Sequence, residues 1–287
     1  MKLKNKIMKN ITIEKIIDDF LKLKINEQID YNKFYLYSII THSTAIEGST
    51  VTEIENQLLF DEGLANSKPL KHQLMNMDLK KAYDKSLEYC KQSTPFSIDM
   101  LCNLSSLIMY NTGSEYNTIY GNFSSAKGEL RQVNVSAGRG GKSYMAWQKV
   151  PTKLQDFCDW INNEKSKFIN KSKEEKYKIS FEAHYRLATI HPFADGNGRL
   201  SRLVMNMIQE QANIIPSVIK KEKKIEYIKT LAECQENEDS SKFIDFMLNH
   251  HKENLLQQIE EYKKSIEKDI EINTKRKQRN DDYRSRS

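Results

Sequence analysis

The sequence predicts an all-α fold with one small β element, on three observations. Only 5 prolines and 10 glycines interrupt 287 residues. Apolar residues recur at the helical period along most of the chain. Most of the glycines fall in one stretch, 112–147, where that period fails. With 38% hydrophobic residues the chain can bury one sizeable core.

The periodicity places helices over 12–23, 30–47, 52–61, 70–91, 97–110, 152–163, 173–190, 199–212, 222–235 and 241–268. Thr52-x-x-Glu55 reads as a capping box opening a new helix after Gly48 and Ser49, so the preceding helix ends at Glu47. Within 112–147, the alternating run LRQVNVS followed by GRGGKSYMAW predicts a β-hairpin or flap in a long loop. Beyond residue 250, Leu255, Ile259, Tyr262 and Ile266 form a narrow apolar stripe at coiled-coil spacing, a candidate for packing or for a homodimer. The final basic run, KRKQRNDDYRSRS, is read as a disordered tail. The expected division is an N-terminal helical region over 1–94, a core domain over 95–250 and a C-terminal helix and tail over 251–287.

Charge and cysteines narrow the function classes. Lys and Arg number 45 against 39 Asp and Glu, a surplus of +6. Residues 275–287 alone hold six basic side chains against two acidic ones, so the rest is nearly balanced. A nucleic-acid-binding face is therefore disfavoured, although a regulator acting through the basic tail is an alternative. Cys90, Cys102, Cys158 and Cys234 lie far apart without Cys-x-x-Cys spacing, which argues against disulfides and zinc. Charges in ITIEKIIDDF follow the basic start, so neither a secretion signal nor a membrane span is expected and a cytoplasmic protein fits.

The chemistry-bearing run is HPFADGNGRLSR, residues 191–202. Pro192 biases His191 out of the helical region, which presents the imidazole at a helix–loop junction as a base. Gly196-Asn197-Gly198 permits amide groups to converge into an anion nest at the start of the next helix. Asp195 is a hard oxygen ligand for a Mg²⁺ already held by phosphates. Arg199 and Arg202, three apart, project from one helix face towards that nest. Separately each has an ordinary structural explanation; a tight loop needs no such ordered set.

This run resembles the signature of the Fic family, His-x-Phe-x-(Asp/Glu)-Gly-Asn-Gly-Arg-x-x-Arg, at every defined position. The resemblance extends from about residue 34 to 250. It implies a helical core in which His191 deprotonates a Ser, Thr or Tyr hydroxyl of a target protein. The oxygen then attacks the α-phosphate of ATP and transfers AMP. By the same resemblance Asp195 holds Mg²⁺, and Gly196, Asn197, Gly198, Arg199, Leu200, Ser201 and Arg202 line the ATP site. Tyr227 and Gln235 stand where family members line the base pocket, Gln235 departing from the commoner Asn. Val135, Ser136, Ala137 and Gly138 match the flap that docks the target's backbone by strand addition. Gly198 is kept where the related Doc-type kinases have Ala, which favours AMP transfer. Auto-modification is a further expectation.

Residues 43–48, STAIEG, resemble the inhibitory motif that class II members carry in a helix ahead of the core, here about 30–48. The implied brake is Glu47 pairing with Arg202, with Ser43 steadying the glutamate and Gly48 ending the helix. A second role for Glu47 in removing AMP from a modified target would make the enzyme bifunctional. GRGGKS at 138–143 imitates a phosphate-binding loop, but Ser136 replaces its first glycine and Pro151 leaves no room for its helix. His184 is read as a hydrogen-bonded packing residue and His250-His251 as a surface pair.

Overall fold

A computed structural model of the chain describes residues 11–28, 31–64, 67–136 and 143–284. Ten α-helices and one hairpin carry most of them. In chain order they are α1 (Ile13–Lys22), α2 (Tyr31–Ile46), α3 (Glu53–Asp61), α4 (Leu70–Lys91), α5 (Ile98–Met109), β1 (Glu115–Thr118) and β2 (Gly121–Ser124). There follow α6 (Val150–Lys165), α7 (Lys173–Ile190), α8 (Asn197–Gln211), α9 (Lys224–Asn237) and α10 (Ser241–Arg284). Each expected helix is present, and all but the last end within a few residues of the expected bounds. The capping box forms as read: Thr52 N donates to Glu55 Oε2 at 2.8 Å and Glu55 N to Thr52 Oγ1 at 3.3 Å.

The last helix departs from the expectation, running to Arg284 where its end was expected near 268 and a disordered tail from 275. No glycine or proline follows Pro216, and the segment is rich in Lys, Glu, Arg and Gln, so nothing in it terminates a helix. A β-hairpin lies within 112–147 as expected, ahead of the alternating run rather than in it. The two-stranded antiparallel hairpin pairs Glu115 with Ser124 and Thr118 with Gly121, and Tyr116 stacks on Phe123 with ring centroids 4.8 Å apart. The run 130–136, which alternates like a strand, forms no ladder among the described residues; Ser136 bridges to Ser143 and Tyr144 N bonds Val135 O at 2.9 Å.

Residues 32–248 make one compact unit. At its centre α8 packs on α4, α5 and α7. Nearly every α8 side chain is buried, as expected of a helix enclosed on all sides. Where α2 meets α3 and α4, Thr44, Ser49, Asn56 and Asn76 form a buried polar cluster. In it Thr44 Oγ1 donates to Asn76 Oδ1 (2.8 Å), Asn56 Nδ2 to Thr41 Oγ1 (2.7 Å), and Asn76 Nδ2 to Ser49 Oγ (2.9 Å). This cluster ties the end of α2 to α3 and α4.

Residues 1–31 and 249–287 make a second unit. Within it α1 buries Ile13, Ile16, Ile17 and Phe20 on one face, and Gln28 Nε2 donates to the Tyr262 hydroxyl at 3.2 Å. Leu255 and Ile259 are buried inside the chain, while Ile266 is 38% exposed. His250 and His251 are both buried, which corrects their reading as a surface pair. Adjacent helical residues point about 100° apart, so burying both needs a helix covered on more than one side. No helix among the described residues is long and apolar enough to cross a membrane.

Candidate active site

The site begins where α7 ends. His191 caps it in the left-handed region (φ 51°, ψ 59°), with its N–H bonded to Leu187 O. Pro192 cannot continue the helix, so the chain turns there. The half-buried imidazole stacks on Tyr144, ring centroids 3.7 Å apart and planes 15° from parallel. Burial pushes its pKa down to about 4, outweighing the upward pull of a bond to the Ala188 backbone and of the Glu47 charge. The ring is thus neutral at pH 7, as a base must be.

The loop that follows is held by one side chain. Asn197 Oδ1 accepts from Phe193 N (3.0 Å) and its Nδ2 donates to Phe193 O (2.8 Å), while the Phe193 ring is fully buried. Gly196 caps α8 at φ 80°. Leu200 packs in the core, and the Ser201 hydroxyl bonds Asn197 O at 2.8 Å. Both side chains are fully buried. Gly196 N donates to Asp195 Oδ1 at 2.6 Å, and the first-turn amides that follow, with the positive end of the helix dipole, offer an anion site.

Two guanidiniums converge on it. Arg199, 3% exposed, donates to Ile108 O (3.2 Å) and contacts Met109 Sδ (3.0 Å), while its Nε has no partner among the described residues. Asp195 Oδ1 stands 3.9 Å from it on a side chain that is 62% exposed. Among the described residues no cluster of three or more His, Cys, Asp or Glu can hold a metal. A lone exposed carboxylate beside an anion nest fits a Mg²⁺ delivered on phosphate oxygens, which needs few protein ligands.

Arg202 is fully engaged. Nε donates to Ser43 Oγ (2.8 Å), while Nη2 donates to Ser43 O (3.0 Å) and to Glu47 Oε1 (2.6 Å). Ser43 thus bonds the arginine side of the pair. Local chain geometry delivers Glu47: Gly48 N bonds Ala45 O and Ser49 N bonds Thr44 O, both at 3.0 Å. With Gly48 at φ 102°, this is a Schellman end that leaves Glu47 as the capping residue. A Cβ on Gly198 would lie 2.6 Å from Glu47 Oε1, so the carboxylate fills the anion site itself. Burial works to raise the Glu47 pKa, but Arg202 holds it below the usual carboxylate range. The side chain remains 34% exposed, so the pair sits at the mouth of the site.

Tyr227 is buried beside this pair, its hydroxyl 3.5 Å from Arg202 Nη1 and 2.9 Å from His184 Nε2. Gln235 is further along α9 and donates to Thr189 Oγ1 at 3.2 Å. Val135 and Ser136 pair with Tyr144 and Ser143 as described above. Ala137 and Gly138 lie outside the described residues, as does most of GRGGKS. Three residues that sequence reasoning did not assign to the site join it: Tyr144, His184 as the partner of Tyr227, and Arg131. Arg131 Nε donates to His191 O at 2.7 Å.

The helical core thus brings an imidazole, a glycine-rich helix N-terminus and two buried arginines to one loop. Residues 95–209 match the model of the Fic/DOC family. It is similar to protein adenylyltransferase fic-1 of Caenorhabditis elegans, with 26% identity over 201 residues, 69% of this chain and 36% of that protein. Protein adenylyltransferase Fic of Drosophila willistoni is 29% identical over 212 residues, 72% of this chain and 38% of that one. The chain thus spans little more than a third of these relatives' length. A crystal structure of a Fic-domain-containing signalling protein from Bacteroides thetaiotaomicron superposes with a TM-score of 0.72 at 20% identity, over 88% of this chain and 97% of that one. That likeness concerns the fold.

Proposed function

We propose that the chain is a protein adenylyltransferase that moves AMP from ATP to a hydroxyl of a target protein, and that Glu47 restrains it. The observation that carries the reading is the state of the two arginines. Arg199 is a buried cation that meets the exposed Asp195 carboxylate only at 3.9 Å and whose Nε has no partner among the described residues. Arg202 meets an acid lodged at the helix N-terminus. Buried cations at an anion nest are costly unless an anion completes them, and the outer phosphates of ATP are anions of the right kind.

In this reading His191 accepts the proton of a Ser, Thr or Tyr hydroxyl as its oxygen forms a bond to the α-phosphorus. The bond from that phosphorus to the bridging oxygen breaks and pyrophosphate leaves. The first-turn amides after Gly196 and the two arginines stabilise the charge on the phosphates. Asp195 would hold Mg²⁺, which neutralises part of that charge. Tyr227 braces Arg202, and the 135–136 edge receives the target's backbone. Glu47 competes with the γ-phosphate for Arg202, the arrangement of class II members, and the resemblance to named adenylyltransferases supports the reaction. A cytoplasmic location, with ATP at hand, goes with this reading.

The test is to incubate the Glu47→Gly protein with Mg²⁺, a cell lysate and ATP labelled at either the α or the γ position. Protein-bound label from α-labelled ATP, abolished by His191→Ala, is expected. Label from the γ position alone would make the protein a kinase and overturn the reading.

A further inference from the structure

Arg131 lies outside the motif, sixty residues before His191, yet its side chain is only 1% exposed. Among the described residues no carboxylate pairs with it. Nε donates to His191 O (2.7 Å), Nη1 to Val133 O (2.8 Å) and Nη2 to Met145 O (2.7 Å). Its main-chain N–H donates to Pro192 O at 3.0 Å. A guanidinium buried against neutral carbonyls is an expensive way to fill a core, because an apolar side chain would fill it without the desolvation cost.

The connectivity explains what packing does not. Those four bonds join three separate stretches of chain: 131–133, the 145 carbonyl and the 191–192 corner. The first two are also linked by Tyr144 N to Val135 O and by the Ser136–Ser143 bridge. Trp147 N bonds Asn134 Oδ1 at 3.0 Å as well. The 143–145 stretch lays Tyr144 on the face of the His191 ring. His191 itself holds a left-handed backbone, φ 51°, immediately before a proline, a conformation that persists only where neighbours fix it. Arg131 fixes it through the carbonyls of both corner residues.

We infer that Arg131 is a positioning residue that locks the His191 corner and the paired segments 131–136 and 143–145 into one piece, so that whatever docks along the flap edge meets the imidazole in fixed register. The guanidinium reaches three carbonyls at once, which a lysine cannot do. Tyr144 completes the lock by setting the plane of the ring. The inference rests on the proposed role of His191 as base and adds the residue that aims it.

The experiment is ¹⁵N NMR of histidine-labelled full-length protein, comparing the parent with Arg131→Lys and Tyr144→Leu. It requires no catalysis. The parent should show His191 ring signals of a single tautomer that stay neutral well below the ordinary pKa of 6.5. In Arg131→Lys those signals should broaden and their titration move up towards 6.5, while the signals of His184 stay in place. In the Glu47→Gly background the same substitution should lower kcat for transfer from α-labelled ATP by about 100-fold, with the KM for ATP within about threefold. Unchanged His191 signals would overturn the inference. So would an equal disturbance of His184 and of ATP binding, which would mark Arg131 as a general structural residue. Should Arg131→Lys fail to fold, Tyr144→Leu, which removes no buried charge, decides by the same signals. If Glu47→Gly with Arg131 intact transfers no label, the adenylyltransferase reading fails, and the NMR comparison still decides the role of Arg131.

Discussion

Glu47 Oε1 bonds Arg202 Nη2 at 2.6 Å and also occupies the space that a side chain on residue 198 would need. A carboxylate held by a guanidinium at a helix N-terminus satisfies both partners of an anion site. Three positions, 47, 198 and 202, are therefore coupled in space although they come from two helices far apart in sequence.

That coupling is measurable. An alanine Cβ at 198 would clash with Glu47 Oε1, the far end of a flexible side chain, while the backbone at 198 is not in the left-handed region. Gly198→Ala should therefore displace the carboxylate from Arg202 rather than unfold α8. Its effect on urea unfolding should be about 1 kcal/mol in the parent and smaller in Glu47→Gly, giving a coupling of about 0.5 kcal/mol or more in a double-mutant cycle. Additive effects would show that the two residues do not share the site.

Asn76 anchors the end of α2 through Thr44 and Ser49, and bonds Asn56 as well. Asn76→Leu leaves those buried groups short of partners, and each orphan costs about 1–3 kcal/mol. A loss of roughly 2–4 kcal/mol in chemical unfolding is expected, with more label transfer per folded molecule as Glu47 loses its support. A neutral substitution would mean that the cluster does not hold α2.

Stability should fall on acidification. Burial holds the pKa of His184 at about 3, His191 at about 4 and His251 at about 3, against an ordinary 6.5. All three are neutral when folded and take up protons more readily when unfolded. A depressed folded pKa gives stability that is complete above the unfolded value and is lost as pH falls towards the folded one. Unfolding free energy from denaturant titrations should be flat above about pH 7 and decline steadily from about 6.5 to 4. Stability that rises over that interval would contradict the burial of these rings.

Most of the helical frame was legible because its signals are local: few breakers, a true capping box at Thr52 and Glu55, and a proline after His191. The motif was legible for the same reason, since its parts are contiguous. What the sequence hid depends on distant chain. Arg131 reads as one polar residue in an alternating run, and only the return of the chain at 145 and 191 makes it a keystone. The burial of His250 and His251 and the hairpin at 115–124, with its polar strands, are likewise set by tertiary packing. Glu47 was found only through resemblance, because a helix ending in Glu-Gly is commonplace, and the partner it meets lies 155 residues away.

The most direct test of the central claim, that Glu47 and the γ-phosphate of ATP compete for Arg202, is calorimetric binding of ATP and of AMP to the parent and to Glu47→Gly. Freeing one charge-assisted bond, about 1.5–3 kcal/mol, should tighten ATP by roughly 10- to 100-fold and leave AMP, which has no outer phosphates, within about threefold. Equal tightening of both nucleotides, or no change for ATP, would contradict it.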